Sequence, residues 1–98
     1  MKEPSPQMII VAKCLDHCGV QWHEIPYTQV KSRNKRLVHC REAIAAMLHK
    51  HAGMSLPEIA QYMGMKAHSA VRDMRKRYYE NWDDAERRRL EVSIEGVL

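Results

Sequence analysis

Residues 55–74 read SLPEIAQYMGMKAHSAVRDM, and the break inside this stretch decides the fold. Ser55 followed three positions later by Glu58 is a capping box, in which each side chain satisfies a backbone N–H that the first helical turn leaves unpaired. Pro57 falls in that first turn, where a missing N–H does no harm. Leu56, Ile59, Ala60 and Met63 recur at helical spacing, so a helix starting at Leu56 buries them. Gly64 supplies the left-handed residue that ends the helix after two turns. A helix that short is not stable alone. Beyond Met65 and Lys66 the apolar period resumes with Val71, Met74 and Tyr78, placing His68, Ser69 and Arg72 near the leading end and outer face of a second helix. The small Ala60, four residues before Gly64, lets the two helices cross closely. A short helix, a glycine turn and a second helix with a polar, basic leading end make a helix-turn-helix.

Outward from this unit the chain reads as further helices. LVHCREAIAAML (37–48) carries Leu37, Cys40, Ile44, Met47 and Leu48 on one stripe and stops at Gly53, which predicts a central core helix. Upstream, Met8, Ile9, Ala12, Leu15 and Cys18 stand at helical spacing until Gly19, and a short turn is expected around Trp22 and Ile25 before Pro26. KSRNKR (31–36) is too charged to pack and is expected as an exposed basic loop. Downstream, a last helix over about 82–96 is expected, capped at Asn81 with Asp83, Asp84 and Glu86 in its first turn. Its Trp82, Ala85, Leu90 and Val97 either pack back on the core or pair with a second copy of the chain.

Composition sets the bounds. The 98 residues suit one domain, 1–98, whose core is aliphatic and rich in methionine, since Phe is absent and Met occurs seven times. No apolar run is long enough to span a membrane, and the leading MKEPSPQ lacks the order of a signal peptide, so a cytoplasmic protein is expected. The three cysteines Cys14, Cys18 and Cys40 suit reduced thiols. The net charge of +4 is unevenly placed: residues 31–77 carry eleven bases against three acids, while both flanks are net acidic. A basic middle segment of this kind attracts a polyanion.

The helix break then has a physical reason. A recognition helix enters the major groove with its first residues against base edges, while the shorter helix crosses the phosphate backbone and props it. One continuous helix cannot do both. The positive N-terminal end of the second helix and Lys66 favour nearby phosphate, and Arg72, Arg75, Lys76 and Arg77 add a basic flank.

These segments also resemble a family, the C-terminal DNA-binding domain of the bacterial replication initiator DnaA. The likeness runs over about residues 8–78 and rests on KSRNKR (31–36), LVHCREAIAAML (37–48), SLPEIA (55–60), YMG (62–64) and KAHSAV (66–71). It implies a small all-α helix-turn-helix domain, similar to the DnaA C-terminal or Trp-repressor kind. By position it implies Arg33 in the minor groove within a basic set of Lys31, Arg33, Lys35 and Arg36. It implies Arg41, Leu56 and Pro57 at the backbone, and His68 and Ser69 at the bases, beside Lys66, Arg72, Arg75 and Lys76. Where the family carries an acidic residue and a second threonine, this chain has Ala67 and Ala70, and Cys40 replaces the usual proline before the helix arginine. Losing a group that accepts from cytosine N4 and a hydroxyl costs about 1–3 kcal/mol per contact on the family's own site. Alanine methyls can meet thymine methyls instead. No Walker-type G-x-x-x-x-G-K-[ST] loop occurs, so the likeness is to the DNA-binding domain alone.

Other chemistry is weighed and set aside. Cys14, His17, Cys18 and His23 fit no common zinc spacing, and His39, Cys40, His49 and His51 add none, so no metal or other cofactor is expected. Cys40 beside His39 on a helix does not make a nucleophile and base, because adjacent side chains point apart; an enzyme with a small-molecule substrate is not expected. The expected function is double-stranded DNA binding with some sequence preference, in transcription control or in modulating replication initiation. Its further partners would be a second copy through the C-terminal helix or a host replication protein. The competing class is an interaction module that has lost base readout and holds a protein partner through Tyr78, Tyr79 and Trp82.

Overall fold

In helix α2, Lys35–Ala52, every residue from Cys40 to Leu48 is buried. A helix buried all round must have neighbours on every side. Ala43, Ala45 and Ala46, all with no solvent exposure, let those neighbours approach closely. The computed structural model describes residues 5–25 and 35–98. Around α2 it places α1 (Pro6–Cys18), α3 (Leu56–Tyr62) and α4 (His68–Asn81), with α5 (Asp84–Glu95) packed on α1. A single 3-10 turn, Trp22–Glu24, follows α1, and no strand occurs among the described residues. The fold class is all-α, as expected.

The stops and caps of the middle helices follow the expectation. Gly19, Gly53 and Gly64 all take positive φ, near 67°, 65° and 70°. At α3, Glu58 N–H donates to Ser55 Oγ at 3.3 Å and Ser55 N–H to Glu58 Oε1 at 3.0 Å, closing the capping box. Ile59, Ala60 and Met63 are buried and Leu56 partly so. They meet the Val71 and Met74 side of α4, while Tyr78 completes the buried stripe one turn on.

Three expectations need correction. The buried face of α1 is Ile10, Val11 and Cys14, with Leu15 and Cys18 at its margin; Met8 is 58% exposed and Ala12 exposed. The run Met8–Ala12 is apolar throughout, so more than one helical stripe fits it, and contact with α2 chooses the stripe. Lys35 and Arg36 form the first turn of α2 rather than a loop; the other residues of the basic segment lie outside the described residues. Helix α4 runs on through Asn81, and α5 is capped by Asp83, whose carboxylate accepts from Ala85 N–H at 3.1 Å and Glu86 N–H at 3.3 Å.

Helix α5 packs back on its own chain. Of the residues expected either to pack back or to pair with a second copy, Trp82 and Leu90 are buried, with Ile94 beside them, whereas Ala85 and Val97 are exposed. Burying a Leu or Ile side chain contributes about 1.5–3 kcal/mol each, enough for two of them to hold a short helix in place.

Candidate nucleic-acid interface

On α4 the buried stripe of Val71, Met74 and Tyr78 leaves His68, Arg72 and Lys76, each one helical turn from the next, on the opposite and exposed side. Ser69 lies between them at the leading end and is exposed too. Arg75 is only half-exposed; its Nε is buried and meets no partner among the described residues, which sets it at the margin of the packed face. Ala67 is the N-cap residue and has no side chain to cap with, so the backbone N–H groups of the first turn point outward unclaimed by any cap side chain. Lys66 stands exposed just before them. This leading end combines backbone donors that no side chain caps, helix-dipole charge and the cations Lys66 and Arg72, the arrangement that suits phosphate.

Helix α3 sets the angle of α4. Met65 N–H donates to Ala60 O at 2.8 Å and Gly64 N–H to Gln61 O at 3.2 Å, so the turn is tied from both sides of the glycine. Pro57 is exposed and Leu56 half-buried at the first turn of α3. A model of the bacterial dnaA protein helix-turn-helix matches residues 8–77. The chain belongs to the bacterial DnaA helix-turn-helix family. No curated protein and no solved structure matches it.

This family is a DNA-binding helix-turn-helix and not a catalytic one. The matched span runs from Met8 in α1 through most of α4, leaving out only Pro6 and Gln7 of α1, and α5 lies beyond it. The DnaA-like positions separate into two groups. His68, Ser69, Arg72 and Lys76 are exposed along α4, with Lys66 exposed just before it and Leu56 and Pro57 opening α3. Lys35 and Arg36 instead line a depression with His17, Cys18, His39 and Glu86, which takes no residue from α3 or α4. Lys31 and Arg33 lie outside the described residues.

Arg41, which the family resemblance implies at the DNA backbone, lies against the chain's own backbone. It is only 7% exposed, and it donates from Nε to Ile25 O at 2.8 Å and from NH2 to Glu24 O at 3.1 Å. The guanidinium thus ends the 3-10 turn by satisfying two of its carbonyls, just before the segment that carries the other basic residues. Such bonds offset the desolvation of a buried guanidinium, and here they make it a positioning group.

Sequence reasoning did not find the cluster behind α5. His17 Nε2 and His39 Nε2 both donate to Glu86 Oε2, at 2.8 and 3.0 Å, and His39 stacks on Trp82 with ring centroids 3.5 Å apart. A carboxylate only accepts, so each ring carries its proton on Nε2 in this arrangement. Burial pushes the Glu86 carboxyl up, but the bonds from the two histidines outweigh it and hold the group below the usual carboxylate range. Cys14 and Cys40 are buried, and desolvation raises both thiols, with the Cys18 contact the larger cause for Cys40. The half-buried Cys18 is lowered by that same contact.

Tyr78 and Trp82 have 0% and 5% exposure, so two of the three aromatics that an interaction module would offer belong to the core. Tyr79 stays exposed. Among the described residues no helix is long and apolar enough to cross a membrane.

Proposed function

We propose that this protein reads double-stranded DNA with sequence preference, placing the first turns of α4 in the major groove and using the readout to regulate transcription or modulate replication initiation. The observation that carries the reading is the exposed His68, Ser69, Arg72 and Lys76 surface at the uncapped leading end of α4, inside a DnaA-family helix-turn-helix. His68 and Ser69 supply base-edge hydrogen bonds, and Arg72, Lys76 and Lys66 supply phosphate contacts. Leu56 and Pro57 rest α3 against the backbone. Lys31, Arg33, Lys35 and Arg36 form a second, minor-groove contact, anchored at its base by Arg41.

Ala67 and Ala70 shift the preference away from the family's usual site rather than removing it, since a methyl group against a thymine methyl still discriminates between bases. Such a domain acts on an initiator's or promoter's DNA by occupying it. The test is selection from a random duplex pool at two salt concentrations. Wild-type protein enriches one motif and Arg72→Ala or Lys76→Ala weakens all sequences alike, each lowering the salt slope by about one unit. A pool that stays random at both salt concentrations defeats the reading.

A further inference from the structure

The end of α2 and the outer turns of α5 bring together a set of groups that DNA binding does not use. His51 lies in the last turn of α2, and Glu91 and Glu95 stand one turn apart on α5. A ring nitrogen of His51 and one carboxylate oxygen from each glutamate all lie within 4.8 Å of one another. His51 Nε2 is buried and meets no hydrogen-bond partner among the described residues. An unmet polar nitrogen in such a place carries a desolvation cost that a ligand would recover.

Glu91 is already oriented. One of its oxygens accepts from Lys50 Nζ and the other from Tyr78 O–H at 3.2 Å, so its side chain is held toward α2 and α4. Lys50 is 44% exposed and able to swing away, whereas Tyr78 is buried. Glu95 is exposed and its carboxylate is able to close the remaining distance to about 3.3 Å, the spacing of ligand atoms about 2.0 Å from a tetrahedral metal.

We infer that His51, Glu91 and Glu95 form a site for a first-row divalent transition-metal ion, which on binding displaces Lys50 from Glu91 and ties α5 to the end of α2. One imidazole with two carboxylates is a donor set for Zn2+ and its neighbours. Mg2+ and Ca2+ favour oxygen alone, and a thiolate site would require Cys14 or Cys40 to leave the core. The ion carries the charge that Lys50 now supplies, and it adds a second tie between α2 and α5 at the end opposite the His39–Glu86 bond. Binding to the folded chain alone raises its stability by mass action.

The test uses the full chain without an affinity tag, Zn2+ in equilibrium dialysis, and Co2+ as a spectroscopic substitute. One equivalent of Zn2+ is expected to bind at neutral pH and raise the melting temperature, and the Co2+ spectrum should show d–d bands without a thiolate charge-transfer band. Groups standing behind metal ligands are already worth about 10–100-fold in affinity, so Glu95→Gln should weaken binding by at least about tenfold and remove the thermal shift. Glu95 is exposed, so that variant folds. Lys50→Met should tighten binding by removing the competing cation. The inference is overturned by the absence of saturable binding, by a Glu95→Gln affinity equal to wild type, by a thiolate band, or by weaker binding in Lys50→Met.

Discussion

Trp82 Nε1–H donates to Glu42 Oε1 at 3.1 Å, joining the residue between α4 and α5 to the middle of α2. Both residues are buried, at 5% and 7% exposure. A buried carboxylate needs such a donor, because an unpaired one costs far more than the bond itself contributes. The consequence reaches α5, since Trp82 is also the surface on which His39 stacks and against which Tyr78 packs at 4.8 Å.

Trp82→Phe keeps the aromatic packing and removes the donor. The expected loss is about 1–3 kcal/mol of unfolding free energy, measured by urea titration. Glu42→Gln in the same background should recover part of it, and the double-mutant cycle should show coupling. Additive effects would separate the two residues.

Arg41→Ala removes two hydrogen bonds to backbone carbonyls from a charged donor, each worth about 1.5–3 kcal/mol. Stability should fall by about that much or more. Measured well below the melting transition, the salt slope of DNA binding should stay at the wild-type value. A phosphate contact at Arg41 would instead show as a slope lower by about one unit with stability little changed.

Much of this arrangement was legible in the sequence, and the exceptions share a cause. Helices α2 to α4 carry apolar residues at helical spacing, α2 and α3 with glycine stops, and their buried residues Leu37, Cys40, Ile44, Met47, Leu48, Ile59, Met63, Val71 and Met74 fall where periodicity puts them. Helix α1 is apolar over consecutive positions, so its packed face depends on a neighbour that periodicity does not describe. Asn81 and Asp83 are both good caps two residues apart, and only the length of α4 chooses between them. Arg41 reads as a surface cation because its partners are backbone carbonyls sixteen and seventeen positions away. The His17, His39 and Glu86 cluster has no local signature at all, since 69 and 47 residues separate its members.

That cluster gives the protein an acid-sensitive contact. Glu86 is depressed in the folded state, so its stabilising effect is present above the unfolded carboxylate value of about 4.3 and is lost as pH falls through the lower folded value. Glu58 is shifted in the same direction by the backbone and side-chain bonds of Ser55 and contributes to the same limb. Unfolding free energy followed from about pH 6 downward through the carboxylate range should therefore fall more steeply in wild type than in Glu86→Gln. Parallel curves would remove Glu86 from the account.

The missing cap at Ala67 is a further point of test. Ala67→Asp supplies a side-chain acceptor to the first turn of α4, and substitutions of this kind change stability by about 0.5–2 kcal/mol in favour of the capped form. The melting temperature should rise. Duplex binding should weaken for most sequences, because the new carboxylate faces phosphate, and improve relative to the rest where a cytosine N4 lies within reach.

The measurement that bears most directly on the central claim compares two duplexes of equal length and base composition, one carrying the motif enriched by selection and one scrambled. Wild-type protein and His68→Ala are titrated against both at moderate salt. A DNA-reading α4 predicts a clear preference for the motif in wild type, lost in His68→Ala, with affinity for the scrambled duplex nearly equal in the two proteins. Equal affinity of the wild type for both duplexes, or a preference that survives the loss of His68, would contradict it.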